Sequence, residues 1–274
     1  MGPDTSQRSG DIILSGKRIL VTGSSHGIGR AIAEAMLRAG ACVVLTSQQS
    51  AAEVAGLAEL QRDFRGRCYY FTADFNGTNA AGPLVEAAWT ALGGIDVLVN
   101  NVGTFREPAF LELTEADFEF VFRLNVWSAI SASREVAKRA GGRGGRILFT
   151  TSLNGTRSEP AHTLYDASKG AIDALTRQLA VELAPLGFTT AAVAPGLVET
   201  PLTDFGLQSS PAERQQILEQ IPLRRIASVE DIAGWFVFLA SDAARYATGI
   251  VIPVDGGLNA QQMSLRPVTA AELK

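Results

Sequence analysis

Thr22-Gly23-Ser24-Ser25-His26-Gly27-Ile28-Gly29 follows a short apolar run at 19–22 and leads into a segment where Ile28, Ile32, Met36 and Ala39 recur near helical spacing. Strand, glycine-rich turn and helix stand in that order. Glycine lets the backbone turn tightly and come close to a ligand. The unpaired amides at a helix start present partial positive charge to an anion. Gly23, Ser25, His26, Gly27, Ile28 and Gly29 therefore read as a cradle for a pyrophosphate. Outward from this turn the same alternation continues. Runs rich in Val, Ile, Leu and aromatics lie at 19–22, 42–46, 69–73, 95–100, 146–151, 189–194 and 250–254, with helix-length segments between them. They lack strict alternation, as expected of strands covered on both faces. Thr114 with Asp117, and Ser228 with Asp231, have the spacing of capping boxes opening two further helices. The pattern predicts an α/β fold with a doubly wound, seven-stranded parallel sheet, whose ligands bind beyond the carboxyl ends of the strands.

The chain has 274 residues, 46% of them apolar and 19% charged, with a formal charge of −4. That length buries a large core without disulfide or metal staples. We read one domain over 17–257, flanked by tails at 1–16 and 258–274. A polar, Pro-containing stretch at 197–227 forms a flap whose Leu202, Phe205 and Leu207 give it an apolar side. Cys42 and Cys68 sit beside apolar residues and read as buried thiols of a reducing compartment. The first seventeen residues carry Asp4, Arg8 and Asp11 in place of an apolar signal core. No apolar run approaches the ~20 residues that cross a bilayer. A cytoplasmic location is expected, with no membrane or nucleic-acid partner, since the mild acidity offers no basic stripe for phosphate backbones. Two histidines, His26 and His162, have no clustered carboxylates at ligand spacing, so no metal site is expected; His162 is left outside the catalytic set.

Tyr165 and Lys169 stand four apart on a helical segment with Ala171, Ile172, Leu175 and Leu179 as its buried stripe, so both project from one turn. An ammonium beside a phenol favours the phenolate and is expected to bring the tyrosine toward the working pH range. Ser152 ends a strand thirteen residues earlier and can hydrogen-bond a substrate oxygen. Asn154 places an amide two residues further on, so Ser152, Asn154 and Tyr165 form the candidate substrate contacts. Asn125 lies within a helix predicted over 114–140, where asparagine lowers helix propensity.

Three residues separate Gly23 from Gly27; Asn100-Asn101-Val102-Gly103, Ser152, Tyr165 with Lys169, Pro195-Gly196 and Asp255-Gly256-Gly257 then follow in order. Over 17–257 the chain resembles the short-chain dehydrogenase/reductase family, single-domain bacterial type with a Ser-Tyr-Lys active site. The resemblance implies a Rossmann-like fold and a carbonyl–alcohol oxidoreductase with Tyr165 as general acid/base. Lys169 would then be its tuner and ribose anchor, Ser152 the donor on the oxyanion side, and Asn125 a relay whose main-chain carbonyl holds a water linked to the lysine. It further implies that Asp74, followed by Phe75, meets the adenine amino group, and that Asn101, Val102 and Gly103 pass beside the ribose and adenine. Pro195, Gly196, Val198 and Thr200 would reach the carboxamide and phosphates. Asn100 is expected to tie neighbouring strands. The family also implies a homotetramer, with which the apolar stretch 235–239 agrees.

The second strand ends Thr46-Ser47-Gln48-Gln49, without the acid that binds a ribose 2′-hydroxyl in NAD sites. Ser47, Gln48 and His26 can instead donate to a 2′-phosphate. NADP(H) is favoured, with NAD(H) as the alternative, and reduction is the expected direction. The rival reading is a non-catalytic NAD(P)-binding sensor or scaffold, and the intact Ser152, Tyr165 and Lys169 argue against it. An epimerase or dehydratase on this fold needs a larger substrate domain than the chain has length for.

Overall fold

Seven strands form in chain order: β1 (Arg18–Val21), β2 (Cys42–Ser47), β3 (Cys68–Thr72), β4 (Val97–Asn100), β5 (Gly145–Thr150), β6 (Phe188–Pro195) and β7 (Ile250–Val254). All pair in parallel, in the order 3-2-1-4-5-6-7. The computed structural model describes residues 13–105, 108–200 and 210–260. The order reverses between β1 and β4, and a crevice opens there beyond the strand ends. The expected strands are all present, displaced by at most two residues at either end.

Successive strand side chains point to opposite faces, so each strand feeds two cores. Ile19, Val21, Val43, Leu45, Val97 and Val99 face one side, packed by Ile32 and Met36 of α1 (Gly27–Arg38) together with Phe236 and Leu239 of the helix Val229–Ala240. Leu20, Val44, Leu98, Ile147 and Phe149 face the other. They meet Leu84 and Val85 of α3 (Ala81–Leu92), Val136 of α5 (Ser128–Ala140) and Ile172 of α6 (Thr163–Glu182). A short α2 (Leu57–Asp63) links β2 to β3. Both predicted capping boxes form: Thr114 opens α4 (Glu115–Phe122) and Ser228 opens the helix Val229–Ala240. Such caps each contribute about 1 kcal/mol.

The helix expected over 114–140 is interrupted. Arg123–Trp127 forms a π-helical turn between α4 and α5, with the Ser128 amide bonded to the Arg123 carbonyl and the Ser128 hydroxyl to that of Leu124. Single π turns of this kind are concentrated at functional sites. The flap contains a helix that its polar composition hid, α7 (Pro211–Gln220); the helix Val229–Ala240 is accordingly α8. A parallel bridge from Val198 to Ala227 ties the two ends of the flap together. Its apolar residues Leu202, Phe205 and Leu207 lie outside the described residues, as do most of the two tails. In the stretch 235–239, Phe236 and Leu239 serve the core, while Trp235 remains 40% exposed. Among the described residues, no helix is long and apolar enough to cross a membrane.

Candidate active site

The turn after β1 is built by three devices. Gly23 and Gly27 take φ of 61° and 57°, the left-handed region that side chains avoid. A Cβ on Gly23 would come within 3.0 Å of the Val102 Cα. Gly29 lies beneath the turn, where a Cβ would overlap the Gly23 carbonyl oxygen and the Asn101 amide. The sequence places Gly29 on the ligand; the structure instead makes it the point where α1 touches the turn. Helix α1 begins with no side-chain cap on His26 and no acid in its first turn, so the helix-start amides are free to bind an anion.

Asn101 holds this cradle. Its Nδ2 donates to the Gly23 carbonyl at 2.8 Å and its Oδ1 accepts from Thr150 Oγ1 at 2.9 Å, joining the turn to β5. Asn100 was expected to tie strands. Its Nδ2 instead donates to Ser133 on α5, so the strand-to-strand side chain is Asn101.

A cleft of about 590 Å³ runs along the carboxyl ends of the strands. Gly23, Ser25, His26, Gly27, Ile28, Ser47, Gln48, Asp74 and Phe75 line one half of it. Asn101, Val102, Gly103, Ser152, Tyr165, Lys169, Pro195, Gly196, Val198 and Thr200 line the rest. At the β2 end, Ser47 Oγ accepts from the Gln49 amide and lies 2.8 Å from the Tyr70 hydroxyl, which donates to the Gln49 carbonyl. Ser47 is thereby committed within the protein, and exposed Gln48 is the freer donor. Asp74 accepts from the Asn76 amide while facing the cleft. The cradle, the uncapped helix and the volume of the cleft fit a dinucleotide.

At the other end, Ser152 and Tyr165 share a side-chain hydrogen bond. Lys169 is buried, donates from Nζ to the Thr150 carbonyl at 3.1 Å, and lies 5.5 Å from the centre of the Tyr165 ring. Burial lowers its ammonium to about 8, against the pull of Asp173 one turn further along α6. The phenol does not follow the sequence expectation. Burial pushes Tyr165 above its ordinary value, and the opposing pull comes from the Ser152 hydrogen bond rather than from Lys169. The ammonium sits over the ring and is itself weakened by burial. Burial thus favours the protonated phenol.

Besides Gly29, two expected residues do not reach the cleft wall. Asn154 donates to Asp166 at 2.7 Å and its backbone amide bonds Ser152 Oγ, so its amide braces Ser152 instead of facing a substrate. Asn125, in the π turn, accepts from the Thr104 amide at 2.7 Å and donates to the Thr104 carbonyl and to Ser168 Oγ. Its side chain clamps the loop after β4 onto α6. Sequence reasoning missed Thr104, Phe120 and Leu124 on the wall; Phe120 and Leu124 lie four apart and just before Asn125, a helical spacing that points them the same way. It also missed Phe105, which stacks on His162 at 4.2 Å and meets Tyr165 edge-on. His162 is held by the Pro160 carbonyl at 2.8 Å.

Comparison with known proteins gives matches along most of the chain. A family model described as Enoyl-(Acyl carrier protein) reductase matches residues 23–259. The chain is 37% identical over 251 residues to the L-xylulose reductase of Bos taurus, covering 90% of this chain and 98% of that protein. It is 34% identical to the 3-oxoacyl-[acyl-carrier-protein] reductase FabG of Aquifex aeolicus, covering 90% and 99%. Among solved structures, a gluconate 5-dehydrogenase from Burkholderia cenocepacia in complex with NADP and tartrate superposes with a TM-score of 0.84. It is 29% identical, and the match covers 92% of this chain and 98% of that one.

Proposed function

The chain belongs to the short-chain dehydrogenase/reductase family, and from that membership we propose that it is an NADP(H)-dependent reductase converting a ketone or aldehyde to its alcohol. The observation that carries the proposal is the Ser152–Tyr165 hydrogen bond beside buried Lys169, at one end of a cleft whose other end is an anion cradle. Bound along that cleft, the reduced nicotinamide supplies a hydride. The chain's own residues supply the rest. Ser152 donates to the carbonyl oxygen and holds it. Tyr165 gives its proton to that oxygen as charge develops there. Lys169 offsets the negative charge left on the phenol and reaches the ribose. Asn125 fixes the loop after β4, and its main-chain carbonyl holds the water through which a proton returns toward Lys169.

Reduction is the direction this reading takes, in line with NADP(H) use; burial favours the protonated Tyr165 from which a reduction cycle starts. Phe120 and Leu124 on the wall favour a partly apolar carbonyl compound. A homotetrameric assembly belongs to the same reading, supported by the exposed Trp235 on α8, and light scattering of the purified protein measures it. Incubation with NADPH and a panel of ketones and aldehydes is the test. Loss of the reduced-nicotinamide absorbance with at least one compound is expected; cofactor binding without turnover on any carbonyl or alcohol would favour the sensor reading.

NADP(H) use rests on Gln48 and on the lack of an acid at the end of β2. Gln48→Asp sets a carboxylate against the 2′-phosphate, a like-charge contact costing ~1 kcal/mol or more at an exposed site. The NADP/NAD ratio of kcat/KM is expected to fall about tenfold. An unchanged ratio would mean that Gln48 does not meet the phosphate.

A further inference from the structure

Asp173 is a buried carboxylate that the reaction scheme above does not use. It lies on α6 one turn beyond Lys169 and two beyond Tyr165, so the three residues share one stripe of the helix. It is 3% exposed. Thr151 donates from Oγ1 to Asp173 Oδ1 at 2.7 Å, and Thr151 immediately precedes Ser152. The same hydroxyl is 3.3 Å from the main-chain carbonyl of Lys169. Over the other edge of the carboxylate lies Gly155, where a Cβ would collide with the Asp173 oxygens. Glycine at that place makes room for the carboxylate. The acid therefore sits where the segment carrying Ser152 meets the helix carrying Tyr165 and Lys169.

We propose that Asp173 is a positioning residue of this active site: its carboxylate ties the Ser152 segment to α6 through Thr151 and, one helical turn from the buried Lys169, supplies negative charge to that part of the helix. The charges acting on Asp173 come from Arg177 and Lys169, both on α6; the segment 151–155 above it contributes the Thr151 hydroxyl. Of the other elements packed on α6, strands β6 and β7 carry no charged residue, while the π turn carries Arg123 and α4 carries Glu115, Asp117 and Glu119, none of which is among the charges acting on Asp173. Burial holds Asp173 above its ordinary value, while the Thr151 hydroxyl, Arg177 and Lys169 pull the other way, toward the ionised acid. Among the described residues, Asp173 is the acid whose charge opposes the desolvation of Lys169. With the negative charge removed and the shape kept, desolvation acts on the ammonium alone.

The chain has four lysines, Lys17, Lys138, Lys169 and Lys274. A pH titration of lysine side chains by NMR, on the full chain carrying ¹³C-lysine and without cofactor, thus resolves Lys169 directly, with Lys169→Met for assignment. In the parent protein Lys169 is expected to titrate below the other three. In Asp173→Asn its midpoint falls further, by on the order of one pH unit, while Lys17 and Lys138 stay in place. Should Asp173→Asn not fold, Asp173→Ser carries the same expectation, and Asp173→Glu restores the parent midpoint. Thr151→Val leaves the carboxyl group in place and breaks the tether, so it lowers kcat about tenfold. A Lys169 midpoint unchanged or raised without the Asp173 charge overturns the electrostatic role, and unchanged kcat in Thr151→Val overturns the tether. The functional meaning rests on the Ser152–Tyr165–Lys169 reading. Full turnover by Tyr165→Phe would remove that reading, whereas an inactive Tyr165→Phe with an unmoved lysine midpoint removes Asp173 alone.

Discussion

Tyr165→Phe is expected to lower kcat for carbonyl reduction by about 10³-fold or more, while the Kd for NADPH stays within about threefold of the parent value. The substitution removes one oxygen and little volume. Phe105 and His162 still meet the ring edge-on, so the aromatic cluster keeps its packing. The cradle stands at the far end of the cleft and does not contact this side chain. What disappears is the proton donor and the partner of Ser152. Loss of turnover with binding intact is the signature of a group acting in the transition state and not in the bound ground state. Steady-state kinetics beside a fluorescence titration with NADPH read both quantities. Parallel loss of the two would make Tyr165 a structural residue, and retained turnover would move the acid elsewhere.

Gly29→Ala is expected to weaken NADPH binding by about 100-fold or more and to lower Tm by about 5–10 °C. The added methyl has no flexible neighbour to push aside, because it overlaps a main-chain carbonyl and an amide already used in hydrogen bonds. Relief requires α1 to separate from the turn. That strain spreads through Asn101 to Thr150, whose carbonyl holds Lys169. Overpacking at rigid positions costs ~1–3 kcal/mol, and each kcal/mol is worth about 2–4 °C in a chain of this size. Calorimetry and an NADPH titration check the two effects together. Parent-like binding in Gly29→Ala would mean that the cradle is looser than its hydrogen bonds imply.

Much of the fold could be read from the sequence because strand and helix signals are local. The apolar runs and the Thr114 and Ser228 capping boxes each depend on a few neighbouring residues, and all formed. The π turn around Asn125 left no such mark. It accompanies a clamp of Asn125 onto Thr104 and Ser168, which lie 21 and 43 residues away in the chain. Side-chain direction was illegible for the same reason. Asn154 shares its neighbourhood with Ser152, yet Asp166 turns its amide away from the cleft. The lowering expected for Tyr165 failed because a helical spacing fixes which groups are close, and leaves open how deeply they are buried. Phe105 and His162 meet only once the loop after β4 folds against the start of α6.

The whole account turns on a hydride passing to a carbonyl carbon held between Ser152 and Tyr165. Reduction by NADPH deuterated at the transferring position of the nicotinamide, with mass spectrometry of the alcohol formed, follows that atom directly. One deuterium on the carbinol carbon, together with a slower reaction than with unlabelled NADPH, is the predicted result. Alcohol formed without the label, or cofactor oxidised without any alcohol, would contradict the account.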